Sequence, residues 1–84
     1  MSAPVINPAE RKLIDIAPTD SYHPADRVWV FRGGAWRAGV IERASTRAAT
    51  VIYRPGDSWG TAVDTLTAEC LFSRDDADPV LDRR

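Results

Sequence analysis

The segment that decides the fold spans residues 27–72 and has the sequence RVWVFRGGAWRAGVIERASTRAATVIYRPGDSWGTAVDTLTAECLF. Its short runs of β-branched and aromatic residues are separated by turns that contain glycine, a pattern typical of an all-β domain built from short strands. Several of its aromatic side chains fall beside the turns. We therefore expect a single small barrel with a ligand-binding notch at one end.

The first hairpin is the clearest feature of this segment. Alternation of Val with aromatic residues predicts a strand over 27–32, and the Gly33-Gly34 pair supplies the positive-φ turn that joins tight hairpins. A second strand is predicted over 36–44. Within it, Gly39 is small enough to permit a sharp bend or close packing against a neighbouring strand.

Three further strands follow in the predicted domain. The β-branched content of residues 48–54 predicts the third strand, and the turn residues of 55–60 predict a loop after it. Residues 61–65 are expected to form a short fourth strand. A single tight helical turn over 67–70 then leads to a fifth strand over 71–74.

The two ends of the chain are expected to behave differently from the barrel. Residues 1–26 are predicted to form an N-terminal arm with a short helix near 8–16. The start of this helix is marked by residues that suit the N-cap, the first and the third helical positions, which are Asn7, Pro8 and Glu10. Leu13, Ile14 and Ala17 share a face that is expected to close an open end of the barrel. Residues 75–84 are too charged to pack and are expected to fray as a flexible acidic tail.

Composition limits the functional classes. With 84 residues, 44% hydrophobic and 27% charged, the chain is expected to form one ordinary globular domain. It has no apolar run long enough to span a membrane and no secretory signal, so a cytoplasmic location is expected. One cysteine, Cys70, and one histidine, His23, cannot complete a four-ligand zinc site. Because no catalytic motif is present, we expect no enzyme activity and no cofactor.

Charge is distributed unevenly along the chain. Residues 27–54 contain six Arg and one acid, Glu42, for a net charge of +5, whereas residues 55–84 contain seven acids and three Arg, for a net charge of −4. Two interpretations remain open. The halves can pair across strands, each exposed pair contributing about 0–1 kcal/mol, or a basic strip can face phosphates.

The spacing of residues in the barrel segment supports a family resemblance. The relevant positions are Val28-x-Val30, Trp36-x-x-Gly39-x-Ile41, Val51-x-Tyr53, Asp57 ahead of Gly60-x-x-Val63, and Leu71. This order resembles the Tudor and agenet branch of the SH3-like barrels, and KOW-type nucleic-acid barrels share much of the spacing. The resemblance covers residues 27–72. It implies an all-β fold, a five-stranded SH3-like (Tudor-like) barrel, to which the arm adds the short N-terminal helix predicted above.

The resemblance also implies a binding site. In Tudor domains, aromatic residues at the first hairpin, at the end of the third strand and in the following loop line a cage for methylated Lys or Arg. The matching aromatic residues and accompanying acid are Phe31, Trp36, Tyr53, Trp59 and Asp57. A cation held over an aromatic face gains about 0.5–2 kcal/mol. The leading hypothesis is therefore a non-catalytic module that recognises a protein segment or a cationic group at this aromatic notch.

Large side chains dominate small cores, so the same aromatic residues also have a structural interpretation. On that interpretation Trp29 and Tyr53 belong to the core. Trp36 is expected at the rim, and Trp59 either folds back as a lid over the barrel or faces a partner.

Nucleic-acid binding is the alternative function. Arg32 and Arg37 flank the notch, where they would repel a cation and attract an anion. The arginines expected to contact phosphates are Arg32, Arg37, Arg43, Arg47 and Arg54. Trp36 or Trp59 would then stack on bases. A third alternative is that the chain is a small subunit of a larger assembly.

Overall fold

A computed structural model describes residues 3–56, 60–75, 78 and 81–83. Its main feature is one five-stranded antiparallel sheet with the strand order β4-β3-β2-β1-β5. The strands are β1 (Arg27–Arg32), β2 (Ala35–Ala44), β3 (Ala49–Tyr53), β4 (Ala62–Leu66) and β5 (Leu71–Ser73). Among the described residues, no backbone pairing joins β4 to β5, so the sheet is open. The all-β prediction is confirmed at this level.

The hairpin between β1 and β2 has the predicted turn. Gly33 and Gly34 adopt φ values of 62° and 79°, a conformation that glycine reaches without steric cost. The register that results places Phe31 opposite Trp36. The tight turn thus aligns two aromatic side chains on neighbouring strands.

Alternate residues of the strands point to an inner face that carries the main core. The buried residues that pack together there are Tyr22, Val28, Val30, Ile41, Ala49, Val51, Tyr53, Leu66 and Leu71. Cys70 is half-buried and packs against this cluster, as a small hydrophobic residue would. Burying these aliphatic side chains supplies the main driving force for folding, at about 25 cal/mol for each Å² of apolar surface removed from water.

Gly39 allows β2 and β3 to approach closely. A Cβ atom at this position would lie 2.9 Å from the carbonyl oxygen of Ile52 and 3.0 Å from the Cβ of Tyr53. Because one of these atoms belongs to the backbone, a larger residue would force the strands apart. The prediction of close packing at Gly39 is confirmed.

The outer face of the sheet carries residues of the opposite parity. Trp29 lies there, opposite Ala38 on β2 and Phe72 on β5, and it is half-buried. A second, smaller apolar cluster on this face consists of Val40, Ile52 and Leu81, with Ala38 packed against it. The expectation that Trp29 belongs to the main core is therefore wrong.

The predicted two-turn helix near 8–16 is also wrong. The arm instead has separate 3₁₀ turns at Pro8–Glu10, Leu13–Asp15 and Thr19–Ser21. Asn7 does cap the first of these turns, since its side chain accepts a hydrogen bond from the backbone N–H of Ala9. The chain then becomes extended at Arg11, with φ −73° and ψ 141°. A helix this short has little stability of its own, so tertiary contacts decide its conformation.

Leu13 and Ile14 do not close the sheet. Their relative exposures are 89% and 90%, so the expectation that they cover an open end is wrong. Further along the arm, Thr19 is buried and its hydroxyl donates to the carbonyl oxygen of Ser45 at 2.5 Å. Tyr22 joins the main core. The second half of the arm is thus anchored to the inner face, and the first half is not.

The prediction of a fraying acidic tail is wrong for the residues that the structure describes there. Leu81 is 3% exposed in the second apolar cluster. The carboxylate of Asp82 accepts from the buried guanidinium of Arg74 at 2.7 Å and from the backbone N–H of Asp78 at 2.6 Å. We call Asp78, Leu81 and Asp82 the C-terminal clamp.

The connection between β4 and β5 contains the predicted helical turn. Ala68–Cys70 forms a 3₁₀ turn after Thr67. The hydroxyl of Thr67 does not cap this turn and donates instead to the carboxylate of Glu69. None of the described helices has the length and apolar character required to cross a membrane.

Candidate functional site

Three aromatic side chains pack together at one end of the outer face. The ring of Trp36 meets the ring of Phe31 edge-on, with centroids 5.2 Å apart, and meets the ring of Phe72 in the same way at 5.1 Å. All three side chains are half-buried. Edge-to-face packing of this kind contributes about 0.5–1.5 kcal/mol for each pair. We call Phe31, Trp36 and Phe72 the aromatic surface.

Strand register explains why these residues meet. Phe31 and Trp36 lie opposite each other across the β1–β2 hairpin. Phe72 lies opposite Trp29, which is two residues from Phe31 and therefore on the same face of β1. Three neighbouring strands, β5, β1 and β2, thus present aromatic side chains to the same side of the sheet.

The N-terminal arm lies against this surface and makes two kinds of contact with it. The indole Nε1–H of Trp36 donates to the carbonyl oxygen of Ile6 at 2.8 Å. The guanidinium carbon of Arg11 lies 3.7 Å from the ring centroid of Phe72, which is a cation–π contact. A backbone carbonyl and a guanidinium therefore supply the hydrogen bond and the cation–π contact between the arm and the aromatic rings.

Backbone carbonyls also surround the Arg11 guanidinium. Its Nη1 donates to the carbonyl oxygen of Glu69 at 2.7 Å and to that of Leu71 at 2.8 Å. Burial lowers the pKa of Arg11, partly offset by the negative charge that Tyr22, Cys70, Asp15 and Glu69 can carry. Its Nε is buried with no hydrogen-bond partner among the described residues. The position accommodates a cation, but in the part of the chain that the structure describes it leaves one hydrogen-bond donor of the Arg11 guanidinium without a partner.

Two depressions flank the aromatic surface. One has a volume of about 350 Å³ and lies between Phe72 and the arm, which lines it with Ile6, Glu10, Arg11, Lys12 and Asp15. The other has a volume of about 270 Å³ and lies between Trp36 and Arg54. The first depression is thus lined by Phe72 and the second by Trp36.

The structure brings together only part of the predicted notch. Phe31 and Trp36 are in contact, as expected. Tyr53 is 5% exposed and lies opposite Gly39, within the main core on the inner face. Its hydroxyl donates to the carboxylate of Asp64 at 3.4 Å. Tyr53 therefore cannot share a ligand with Phe31 and Trp36, and it has the structural role that was the alternative for it.

Two other predicted site residues, Asp57 and Trp59, lie outside the described residues. Whether they join the aromatic surface stays a prediction. The described end of the preceding loop is close to it, because Gly56 lines the depression beside Trp36.

The five arginines of the predicted nucleic-acid interface do not form one strip. Arg32 pairs with Asp64 at 2.7 Å, and Arg54 pairs with Asp78 at 3.3 Å. The Nε of Arg37 donates to the carbonyl oxygen of Arg32 beside the first hairpin. The remaining two, Arg43 and Arg47, are exposed at the opposite end of β2 and in the turn after it.

A separate depression of about 450 Å³ lies at this far end. Its lining includes Arg43 together with the hydroxyl residues Ser45, Thr50 and Thr65. It is remote from the aromatic surface, because the length of β2 separates them.

The sequence did not identify two residues as part of the site, one in the aromatic surface and one that contacts it. Phe72 was assigned only to the fifth strand, and Arg11 only to the arm. Alternation in the short β5 strand was a usable signal, since Leu71 faces the core and Phe72 must then face outward. No local signal identifies Arg11, because its contacts with Glu69 and Leu71 span almost 60 residues of sequence.

The described residues offer little reactive chemistry. Among them, no group of three or more His, Cys, Asp or Glu side chains is placed to hold a metal ion. Burial and the neighbouring Glu69 raise the pKa of the Cys70 thiol, which keeps it protonated at neutral pH.

No protein-family model, curated protein or solved structure matches this chain. The resemblance to Tudor, agenet and KOW-type barrels therefore depends on residue spacing and strand order. Function must be argued from the chemistry of the described residues.

Proposed function

We propose that this protein is a non-catalytic interaction module that binds a segment of a partner protein at the aromatic surface. One observation carries the proposal: the half-buried rings of Phe31, Trp36 and Phe72 pack together on the face of the sheet away from the core, with a depression beside Trp36. Aromatic side chains in such positions supply much of the free energy of protein association.

A cationic side chain in the partner segment fits the same surface. The ring of Phe72 already supports a guanidinium at 3.7 Å, and the nearby carbonyl oxygens of Glu69 and Leu71 accept its hydrogen bonds. Cation recognition, which the sequence predicted at a notch that includes Tyr53, is therefore proposed at Phe72 instead.

We further infer that the open sheet is an SH3-like small barrel of the Tudor-like kind. The strand order β4-β3-β2-β1-β5 and the 3₁₀ turn Ala68–Cys70 between β4 and β5 support this inference. Functional sites in such small folds are supplied by surface residues rather than by the fold itself, so the aromatic surface carries the functional argument.

Selection from a displayed library of random peptides, using the full chain as bait, tests the proposed function. Peptides that bind should lose at least about tenfold in affinity with Trp36→Ala, a loss of about 1.4 kcal/mol. Val63→Ala provides a matched control, since Val63 is a 60% exposed apolar residue on the outer edge strand β4. Its affinities should stay within about twofold of the wild type.

Two results would defeat the proposal. One is a library that yields no ligand for the folded chain. The other is a set of ligands that bind Trp36→Ala as tightly as the wild type, because such ligands use a different surface. Circular dichroism of each variant must first show that it retains the fold of the wild-type chain.

Nucleic-acid binding is kept as the second candidate because of the depression beside Arg43. Guanidinium and hydroxyl groups, which line that depression, are the side chains that most often contact phosphates. Arg47 lies exposed in the adjacent turn. Any such interface would occupy the far end of the sheet, so it does not compete with the aromatic surface.

Fluorescence anisotropy with a mixed pool of DNA and RNA oligonucleotides tests this candidate. If it holds, binding weakens steeply as salt rises and is lost in the Arg43→Ala/Arg47→Ala double variant. Arg32→Ala serves as the control, since Arg32 is already paired with Asp64. Absence of any retention at low salt would eliminate nucleic acid as a ligand.

A further inference from the structure

The part of the arm that covers the aromatic surface is held there by polar contacts. Ile6 contributes a backbone carbonyl to the indole of Trp36, and Arg11 contributes its guanidinium to Phe72 and the carbonyls beside it. Val5, Leu13 and Ile14, which flank this segment, are 99%, 89% and 90% exposed, and Ile6 within it is 38% exposed. The polar contacts can be exchanged with little loss of buried apolar surface.

The arm is extended on both sides of its first 3₁₀ turn, Pro8–Glu10. Asn7 has φ −75° and ψ 135°, Arg11 has φ −73° and ψ 141°, and Lys12 has φ −79° and ψ 138°. These values are close to those of polyproline II, the conformation in which many recognition segments bind aromatic-lined grooves. The two contacting groups, the carbonyl of Ile6 and the guanidinium of Arg11, are five residues apart in the sequence.

The groups at this site suit a guanidinium. Phe72 offers a flat face for a planar cation, and the carbonyl oxygens of Glu69 and Leu71 both accept from Nη1 of Arg11. Glu69 adds a favourable negative charge. An anionic segment would find no donors among these groups.

We propose that residues 6–11 are an intramolecular occupant of the aromatic surface, and that the partner is an arginine-bearing protein segment that displaces them. This inference rests on the proposed function, since it names the partner class and the regulation of the same site. Because the arm is tethered to the sheet, it competes for the aromatic surface at a high effective concentration. An incoming segment therefore binds more weakly until the arm is released.

A synthetic peptide of residues 3–17 is the probe, added in trans to the full wild-type chain and to the full Arg11→Ala variant. Binding is followed by the NMR signal of the Trp36 Nε1–H, assigned with Trp36→Phe. The peptide should bind the Arg11→Ala chain at least about tenfold more tightly than the wild type, because its own arm competes poorly. The same peptide carrying Arg11→Ala is the matched control and should not bind.

Arg11→Lys gives a second, graded variant. It keeps the positive charge but loses the planar fork, so the peptide should bind it with intermediate affinity. This variant also keeps the test valid should Arg11→Ala prove poorly folded.

Three results would overturn the inference. They are equal binding of the peptide to wild type and Arg11→Ala, binding of the control peptide, and an unchanged Trp36 Nε1–H signal in Arg11→Ala. Failure here is distinguishable from failure of the proposed function. Library ligands that depend on Trp36 but bind wild type and Arg11→Ala equally leave the proposed function standing and defeat only the occupant.

Discussion

The first half of the N-terminal arm and the C-terminal clamp both lie on the outer face of the sheet, and an arginine holds each of them, but in opposite ways. At the C-terminal clamp, the guanidinium of Arg74 belongs to the sheet, and the chain end supplies the carboxylate of Asp82 and the apolar side chain of Leu81. At the N-terminal arm, the chain end supplies the guanidinium of Arg11, and the sheet supplies carbonyls and a ring.

The clamp and the arm differ in how much of their side-chain surface is buried. In the clamp, the side chains of Arg74 and Asp82 are 1% and 9% exposed, and Leu81 fills a place between Val40 and Ile52. In the arm, the large apolar side chains before the anchored Thr19–Ser21 turn are mostly in water. Removing apolar surface from water is what makes a segment part of the folded core, whereas polar contacts at a surface add little net free energy. The clamp is therefore part of the fold, and the arm is a removable cover.

The largest expected effect is the loss of the clamp in Asp82→Ala. This change takes the carboxylate away from the buried guanidinium of Arg74, and breaking a buried pair from one side costs about 3 kcal/mol or more. Urea unfolding should show a corresponding fall in the free energy of unfolding. Asp75→Ala is the control, since Asp75 is exposed in the same part of the chain and should change stability by less than about 0.5 kcal/mol. Equal effects of the two substitutions would mean that the clamp is no more integral to the fold than the arm.

Lowering the pH should weaken the contacts of the clamp and leave those of the arm unchanged. Burial works to raise the pKa of Asp82, but hydrogen bonds from Arg74 and from the backbone of Asp78, with the charges of Arg74 and Arg27, lower it overall. A carboxyl whose pKa is lower in the folded state stabilises the fold above its unfolded pKa of about 4, and this contribution is lost as the pH falls through the folded pKa.

Stability measured from pH 6 downward should therefore decline more steeply for the wild type than for Asp82→Asn, which cannot titrate at this position. Parallel pH profiles would show that Asp82 contributes nothing to acid sensitivity. Arg11 stays charged over this range, so its contacts with Phe72 and the carbonyls are not titrated.

Limited proteolysis compares the two ends directly. Trypsin should cleave after Lys12 in the arm before it cleaves after the buried Arg74, because a locally opening segment is cut without global unfolding. Arg11→Ala should speed cleavage after Lys12 by about fivefold, the effect of about 1 kcal/mol on local opening. Its global stability should change by less than about 1 kcal/mol. Simultaneous cleavage at both sites in the wild type would show that the arm is as firmly held as the clamp.

The comparison also shows what the sequence could predict. The β1–β2 hairpin was predictable because its information is local: alternation fixes the strand, and Gly33-Gly34 fixes the turn. The clamp was not predictable from charge counting. Asp82 is stabilised by Arg74, and Leu81 by Val40 and Ile52, through contacts that exist only once the sheet has formed.

The site was half predictable for a similar reason. Phe31 and Trp36 are joined by the local hairpin register, whereas the position of Tyr53 depends on how β2 pairs with β3. Tyr53 pairs with Gly39, which lies three residues from Trp36 on β2, so Tyr53 and Trp36 point to opposite faces. Residue spacing alone does not reveal this pairing, so the match to a Tudor-like cage placed Tyr53 on the wrong side of the sheet.

The smallest expected effect comes from Trp36→Phe, which tests whether the arm opens independently of the clamp. The change keeps an aromatic ring against Phe31 and Phe72 but removes the Nε1–H that donates to Ile6. Because the bond is exposed, its loss should lower the free energy of unfolding by about 0.5–1 kcal/mol at most. Amide exchange should quicken in residues 6–11 and stay unchanged at the clamp. Faster exchange at Asp82 as well would show that the arm and the clamp open together, and the distinction between a cover and a part of the fold would fail.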